Sequence, residues 1–293
     1  MKILNVCYKD YANISFRLNE AINQTTKHES RQLTMWRHGW GYPHDIFTVD
    51  IAEISKWIDW ADIVNCWGHR TPLEVTGKNP EKLIILHRGT KFRGNAKGGR
   101  AEAKARNAAE LVCTPDLLCF PDLQWLPHSV PVDEWAKLKR KHTGKPIVCQ
   151  TPSSPGRKNT TGIIEALSNK KNIELSIFRG QWPKVMEHKG IVDIYLGQFT
   201  LGYGMNCLET WTMDIPIITH VEDNYTDLIL GQVGYLPHYE STLENLSHTV
   251  DALLQDKALY REYAELGKKY LREFHDYPVV AKRYIDFVEE KWF

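Results

Sequence analysis

Arg157 and Lys158 stand side by side in "QTPSSPGRKNTTGIIEAL", Gln150 to Leu167. A strand candidate ends at Gln150, a Pro/Ser/Gly loop follows, and Asn159 or Thr160 can cap the next helix. Two cations before a helix oppose its dipole, which favours negative charge at that end. A docked anion such as a diphosphate resolves the conflict; the plainer alternative is that both side chains point into water. A second stretch, "FTLGYGMNCLETWTMDIPIITH", runs from Phe199 to His220. Gly202-Tyr203-Gly204 makes a turn that opens onto a helix near Met205 and Asn206. Free N–H groups there suit a phosphate or a sugar hydroxyl. Glu209 lies one turn into that otherwise apolar helix. A solvated Glu behind an ordinary turn explains the same spacing, because a short Gly motif is weak. In a third stretch, "LIILHRGTKFRGN", residues His87, Arg88, Gly89 and Thr90 end an apolar strand, where α/β sheets bind ligands. A lone His is more often structural.

These residues sit in a chain of 293 residues, 42% hydrophobic and 25% charged. That balance excludes a disordered chain and a small disulfide scaffold. The net charge of +1 does not mark a polyanion-coating protein. Six cysteines contain no CxxC pair and read as reduced, buried thiols. No apolar run reaches the roughly 18 residues of a membrane span. A strand starts at once after Met1, so no signal peptide is expected and a cytoplasmic location is.

Short apolar runs alternate with helical spacing. Ile3–Tyr8, Gln32–Trp36, Ile63–Trp67, Lys82–His87 and Glu110–Thr114 read as strands, and Ser15–Thr25, Ile51–Trp60 and Ala101–Ala109 as helices. The prolines and basic run between Trp125 and Pro146 read as a linker. Ile147–Gln150, Ile173–Phe178, Ile191–Leu196 and Ile215–Thr219 then resume the strands. Thr161–Ser168, Met205–Met213 and Leu243–Leu254 are helical, and so is Lys257–Phe293, interrupted at Pro278. The fold class is α/β, with two Rossmann-like domains in tandem, at residues 1–140 and 145–276, and a final helix at 277–293.

Together these stretches resemble the retaining, nucleotide-sugar-dependent glycosyltransferases of GT-B architecture (glycosyl transferases group 1, family 4-like). "LGYGMNCLETWTMDIPII" is in register with that family's "EGFGxxxLEAMAxGxPVI". "RKNTTGIIEAL" resembles its diphosphate-binding segment and "HRGTKFR" its first-domain "HGS...R" stretch. "LVCTPDLLCFPDLQWLPHSVPVDEW" resembles the stretch that ends its first domain, and "MKILNVCYKDYANISFRLNEAI" its opening strand, turn and helix. The similarity covers nearly the whole chain. It implies two domains facing across a cleft, the final helix crossing back to the first. It also implies sugar transfer from a nucleotide diphosphate sugar (UDP-, GDP- or ADP-linked) without a resident cofactor. Arg157 and Lys158 would neutralise the leaving diphosphate, and backbone N–H groups from Gly202 through Tyr203, Gly204, Met205 and Asn206 would complete the cradle. Glu209 would bind the ribose hydroxyls, and His87 or Arg88 would face the donor sugar, the two aligning equally well. Ala12 and Asn13 replace the family's glycine-rich turn beside the donor, and Gly89, Thr90, Lys91 and Arg93 lie on the acceptor side.

Three departures stand out. Leu201 replaces the first Glu of the Glu-x7-Glu pair, Asp214-Ile215-Pro216 replaces GxP, and the chain is short for the family. No DxD triplet occurs, so the cations would do a metal's work and no metal site is expected. Lys91 to Arg106 holds six cations against Glu102, a basic loop that can meet an anionic acceptor. The acceptor is expected to be a glycan or a lipid-linked glycan. The alternatives are a hydroxymethylated base in DNA, with the tryptophans of the first domain stacking on it, and a non-catalytic protein that only binds sugar nucleotides or glycans.

Overall fold

A computed structural model describes residues 1–68, 71–199 and 203–293. The chain forms two compact units, one of Met1–Val130 with Phe274–Phe293, the other of Pro131–Glu273.

In the first unit the strands are β1 (Lys2–Lys9), β2 (Glu29–Trp36), β3 (Ile46–Phe47), β4 (Ile63–Trp67), β5 (Leu83–His87), β6 (Ala109–Val112) and β7 (Gln124–Trp125). The helices are α1 (Ile14–Thr25), α2 (Ile51–Trp60), α3 (Thr71–Thr76), α4 (Gly89–Gly94) and α5 (Ala96–Ala105). The sheet is parallel, in the order β3-β2-β1-β4-β5-β6-β7. Every residue of β4 and β5 is buried, as an apolar run covered on both faces requires. Each buried aliphatic of these strands contributes about 2 kcal/mol.

The second unit begins with α6 (Val132–Ala136), a short helix inside the segment read as linker. Its strands are β8 (Ile147–Gln150), β9 (Glu174–Ile177), β10 (Ile194–Leu196), β11 (Ile217–Thr219) and β12 (Tyr239–Glu240). Its helices are α7 (Thr160–Leu167), α8 (Trp182–Lys189), α9 (Met205–Trp211), α10 (Asp223–Val233), α11 (Leu246–Gln255) and α12 (Lys257–Tyr270). This sheet is also parallel, ordered β12-β11-β10-β8-β9. Gly267 is required where α12 crosses α9, because a Cβ there would lie 1.9 Å from the Trp211 ring.

The chain then returns. A π-helical turn, Leu271–His275, ends at Asp276, whose side chain accepts from the Tyr277 N–H at 3.0 Å and caps α13 (Tyr277–Trp292). The interruption therefore precedes Pro278, which sits in the first turn of α13, where its missing N–H costs nothing. His275 Nδ1 meets the His128 carbonyl at 2.7 Å, and the Val130 N–H donates to the His275 carbonyl at 2.8 Å. The Tyr277 hydroxyl donates to Glu20 on α1 at 2.7 Å, so the final helix packs on the first unit. Deeper in, the Tyr284 hydroxyl donates to Asn65 Oδ1 at 2.9 Å. Asn65 and the Trp67 indole both donate to Asn5 Oδ1, at 3.0 and 3.1 Å, and Asn5 donates to Ser30 at 3.0 Å.

That chain of buried polar groups is satisfied only while each member is present. Tyr284→Phe removes a donor from a fully buried amide and is expected to cost about 1–3 kcal/mol in urea unfolding. A loss below a few tenths would show that the network does not hold the final helix.

Candidate active site

Open α/β sheets bind ligands beyond the carboxyl ends of the strands where the strand order reverses. In the second sheet that point lies between β8 and β10. Gln150, the last residue of β8, bridges it: its amide donates to the Gly197 carbonyl at 2.9 Å and to the Lys158 carbonyl at 3.1 Å, and it accepts from Thr160 at 2.7 Å. Gly197 must be glycine, since a Cβ would lie 2.5 Å from Thr219 Oγ1. Arg157 and Lys158 occupy a 3-10 turn, Gly156–Lys158, directly before α7. Asn159 takes the N-cap place in a left-handed conformation and makes no side-chain cap bond. Arg157 is exposed and Lys158 half-buried. Burial pushes the Lys158 ammonium below its ordinary pKa, with Cys207 and Glu209 pulling it back up and Lys189 repelling it. Lys158 therefore lies within electrostatic reach of the α9 residues.

Glu209 is 2% exposed, and each of its carboxylate oxygens has a partner. Its Oε1 accepts from the Trp182 indole at 2.8 Å, and its Oε2 pairs with the Lys189 ammonium. Lys189, which is wholly buried, also donates to the Asn206 carbonyl at 3.1 Å and to Asn206 Oδ1 at 3.3 Å. The Asn206 amide in turn donates to the Thr151 carbonyl at 2.8 Å. Trp182 and Lys189 are seven residues apart, two turns along one face of α8. The structure thus brings Lys158, Asn206 and Glu209 together and adds Lys189 and Trp182, which the sequence reading missed. Gly204 is the N-cap of α9, and Met205 is buried. Tyr203 points into the core, its hydroxyl donating to Tyr270 at 2.6 Å and its ring edge-on to Trp211. Gly202 and Leu201 lie outside the described residues.

In the first sheet the order reverses between β1 and β4. Arg88 spans that crevice. One of its nitrogens donates to the Lys9 carbonyl at 2.7 Å and the Trp67 carbonyl at 3.4 Å, and the other lies 3.6 Å from Asp10. His87 is turned elsewhere, with Nε2 2.8 Å from Glu110 and its ring stacked on Phe92 at 4.0 Å. Of the two aligned residues, Arg88 is the one at the crevice. Ala12 and Asn13 both adopt left-handed backbone, φ 59° and 60°, so this chain keeps a glycine-type turn without glycine. Gly89 opens α4 with φ 60°, followed by Thr90 and exposed Lys91.

The expected basic loop is instead two helices, α4 and α5. Arg93 pairs with Asp116, and Arg100 with Asp122 and with Glu110. The carboxylates come from β6 and the segment after it, too distant in sequence for the charge count of one stretch to include them. Among the described residues no group of three or more His, Cys, Asp or Glu is placed to hold a metal, and no helix is long and apolar enough to cross a membrane.

Neither a family model nor a curated protein matches the chain by sequence. Solved structures do match. A glycosyltransferase from Rickettsia africae superposes with a TM-score of 0.69 at 12% identity, over 99% of this chain and 98% of that one. Sucrose-phosphate synthase from Thermosynechococcus elongatus gives 0.67 at 12% identity, over 99% of both chains. Anabaena HepE in complex with UDP-glucose gives 0.68 at 9% identity, over 99% of this chain and 100% of that one. The chain has the GT-B fold of glycosyltransferases. Within that GT-B frame, the strand ends named above are where a ligand is to be sought.

Removing one partner of a buried ion pair leaves an uncompensated charge, at a cost of about 3–5 kcal/mol. Lys189→Met is expected to lose that much in urea unfolding, and adding Glu209→Gln should recover most of it. Equal losses in the single and double variants would mean that Lys189 does not serve Glu209.

Proposed function

We propose that this protein transfers a sugar from a nucleotide diphosphate sugar to an acceptor hydroxyl, with retention at the anomeric carbon. The observation that carries the reading is the cationic pair Arg157–Lys158 beside the Lys189–Glu209–Trp182 cluster, at the reversal point of the second sheet. The structural likeness to HepE, solved with UDP-glucose, supports it.

The chain's residues divide the work by charge. Arg157 and Lys158 neutralise the diphosphate as the bond from the anomeric carbon to the phosphate oxygen breaks. The N–H groups of Met205 and Asn206, in the first turn of α9, lack partners inside the helix and add donors. Glu209 takes the ribose hydroxyls, since each carboxylate oxygen accepts more than the one bond it already makes. The acceptor oxygen attacks from the face the diphosphate leaves, and the departing phosphate takes its proton. The protein supplies position and charge rather than a base, and the cations take the part a metal plays elsewhere. With Arg93 and Arg100 committed to carboxylates, a glycan acceptor, free or lipid-linked, fits better than DNA.

Arg157→Ala and Lys158→Ala should each weaken UDP, GDP or ADP binding by tenfold or more in calorimetry, with melting unchanged. Unchanged affinity in both would remove the diphosphate assignment. The lowered Lys158 pKa adds a sign. Only the charged form attracts the diphosphate, so affinity is full below that pKa and falls as pH rises through it, earlier than an ordinary lysine near 10.4 would allow. Lys158→Arg should flatten the decline below the ordinary lysine range, because arginine stays protonated there.

A further inference from the structure

We propose that the first unit docks on a lipid bilayer through a face made of Trp36, Phe47, Val49 and Ile51, with Tyr11 at its rim. Joined to the transfer reading above, on which that part depends, such a face makes the acceptor lipid-linked. These are large apolar side chains left in water, from 41% exposed at Phe47 to 62% at Val49. The sheet edge brings them together. Thr34 of β2 is in register with Phe47 of β3, and the Thr48 N–H donates to the Thr34 carbonyl at 3.3 Å. Trp36 ends β2 and Val49 follows β3, so the two segments leave the edge side by side. Phe47, Val49 and Ile51 alternate with Thr48, which is buried, and Asp50, whose carboxylate caps α2 by accepting from the Ala52 N–H at 2.9 Å. Tyr11 joins from the neighbouring strand: Lys9, the last residue of β1, is in register with Trp36, and its ammonium lies 5.5 Å from the centre of the Tyr11 ring.

The charges fit a headgroup layer. The Arg37 guanidinium lies over the Phe47 ring at 4.4 Å, as Lys9 lies over Tyr11. Asp45, between Arg37 and Phe47 in sequence, is held by Arg31 through two hydrogen bonds of 2.7 and 2.8 Å. A ring with a cation against it suits a bilayer interface, where the ring enters the acyl boundary and the cation meets a phosphate. The aliphatic tips decide between partners. A nucleobase or a sugar ring stacks on Trp36 or Tyr11 and gains nothing from Val49 and Ile51. A bilayer buries aromatic and aliphatic side chains alike and needs no matched shape. The rim also reaches the site. The Arg88 guanidinium lies 5.4 Å from the Tyr11 ring, so the face runs on to the reversal crevice of the first sheet. A sugar carried on a lipid would stand beside that crevice.

The test is sedimentation of the full chain with vesicles of phosphatidylcholine alone and of phosphatidylcholine mixed equally with phosphatidylglycerol. A single-stranded oligonucleotide serves as rival, and UDP binding is followed separately by thermal shift. The expected result is binding to both vesicles, tighter to the mixed ones, and weakened about tenfold by each of Phe47→Ser and Val49→Ser. Arg37→Gln should reduce the preference for the mixed vesicles. Phe47 and Val49 are exposed, so the melting temperature and the UDP shift should stay unchanged in both serine variants. No binding to either vesicle overturns the proposal, as does vesicle binding untouched by both serine variants together. Oligonucleotide binding that these variants abolish, without vesicle binding, overturns it too and gives the face to a nucleic acid. UDP binding with no vesicle binding would end this proposal alone. Vesicle binding without any nucleotide diphosphate would keep the docking face and end the transfer reading.

Discussion

A carboxylate taken out of water must be compensated, and the second unit is arranged around that demand at Glu209. Its two oxygens are held by Trp182 and Lys189, both from α8, and Lys189 reaches on to Asn206, which bonds the strand end after β8. One buried pair therefore ties α8, α9 and the β8 loop at the place where the sheet reverses. A buried pair adds little net stability, because desolvation cancels most of the attraction. Its effect here is geometric: α9 cannot slide without stranding a charge. A loop carrying Arg157 and Lys158 beside such an anchor faces a fixed target.

The first unit solves a similar problem with the opposite sign. Arg88 fills the reversal crevice of its sheet, and backbone carbonyls rather than a tight ion pair take most of its hydrogen bonds. Asp10, its 3.6 Å neighbour, spends its oxygens on the N–H groups of Ser15 and Phe16, capping the start of α1. The left-handed turn at Ala12 and Asn13 lies between, so the carboxylate that caps the helix also lies nearest the cation in the crevice. Roughly 1–2 kcal/mol of strain for each such non-glycine residue is tolerated because the surrounding strands and cap determine the turn.

The strands that are buried on both faces were plain in the sequence: Leu83–His87 and Ile63–Trp67 are apolar runs that no solvent-facing period interrupts. The two reversal points follow from strand order and could be anticipated only through the family resemblance. Lys189 was not legible. It sits in "WPKVMEHKG", where a lysine reads as solvated, and its partner Glu209 is twenty residues away on another helix. The seven-residue spacing from Trp182 was the only signal, and that spacing acquires meaning once both side chains are seen to meet one carboxylate. The basic run from Lys91 to Arg106 misled for the reverse reason: its arginines were visible and their carboxylates, Asp116 and Asp122, were outside the window. The break in the final helix was expected at Pro278, but proline suits a first helical turn, and the chain breaks at the π turn and cap before it.

The central claim is that the reversal point of the second sheet is a nucleotide-diphosphate seat. A thermal-shift screen of the unmodified chain against UDP, GDP, ADP and CMP, with their common sugar conjugates and a chelator present, tests it most directly. A ligand that binds only the folded state raises the melting temperature by mass action, by about 2.7 kcal/mol of stability at a hundredfold excess over Kd. The account predicts a clear rise with one nucleoside diphosphate and its sugar conjugate, and none with CMP, which lacks the second phosphate. No rise with any diphosphate, or a rise of equal size with CMP, would contradict it.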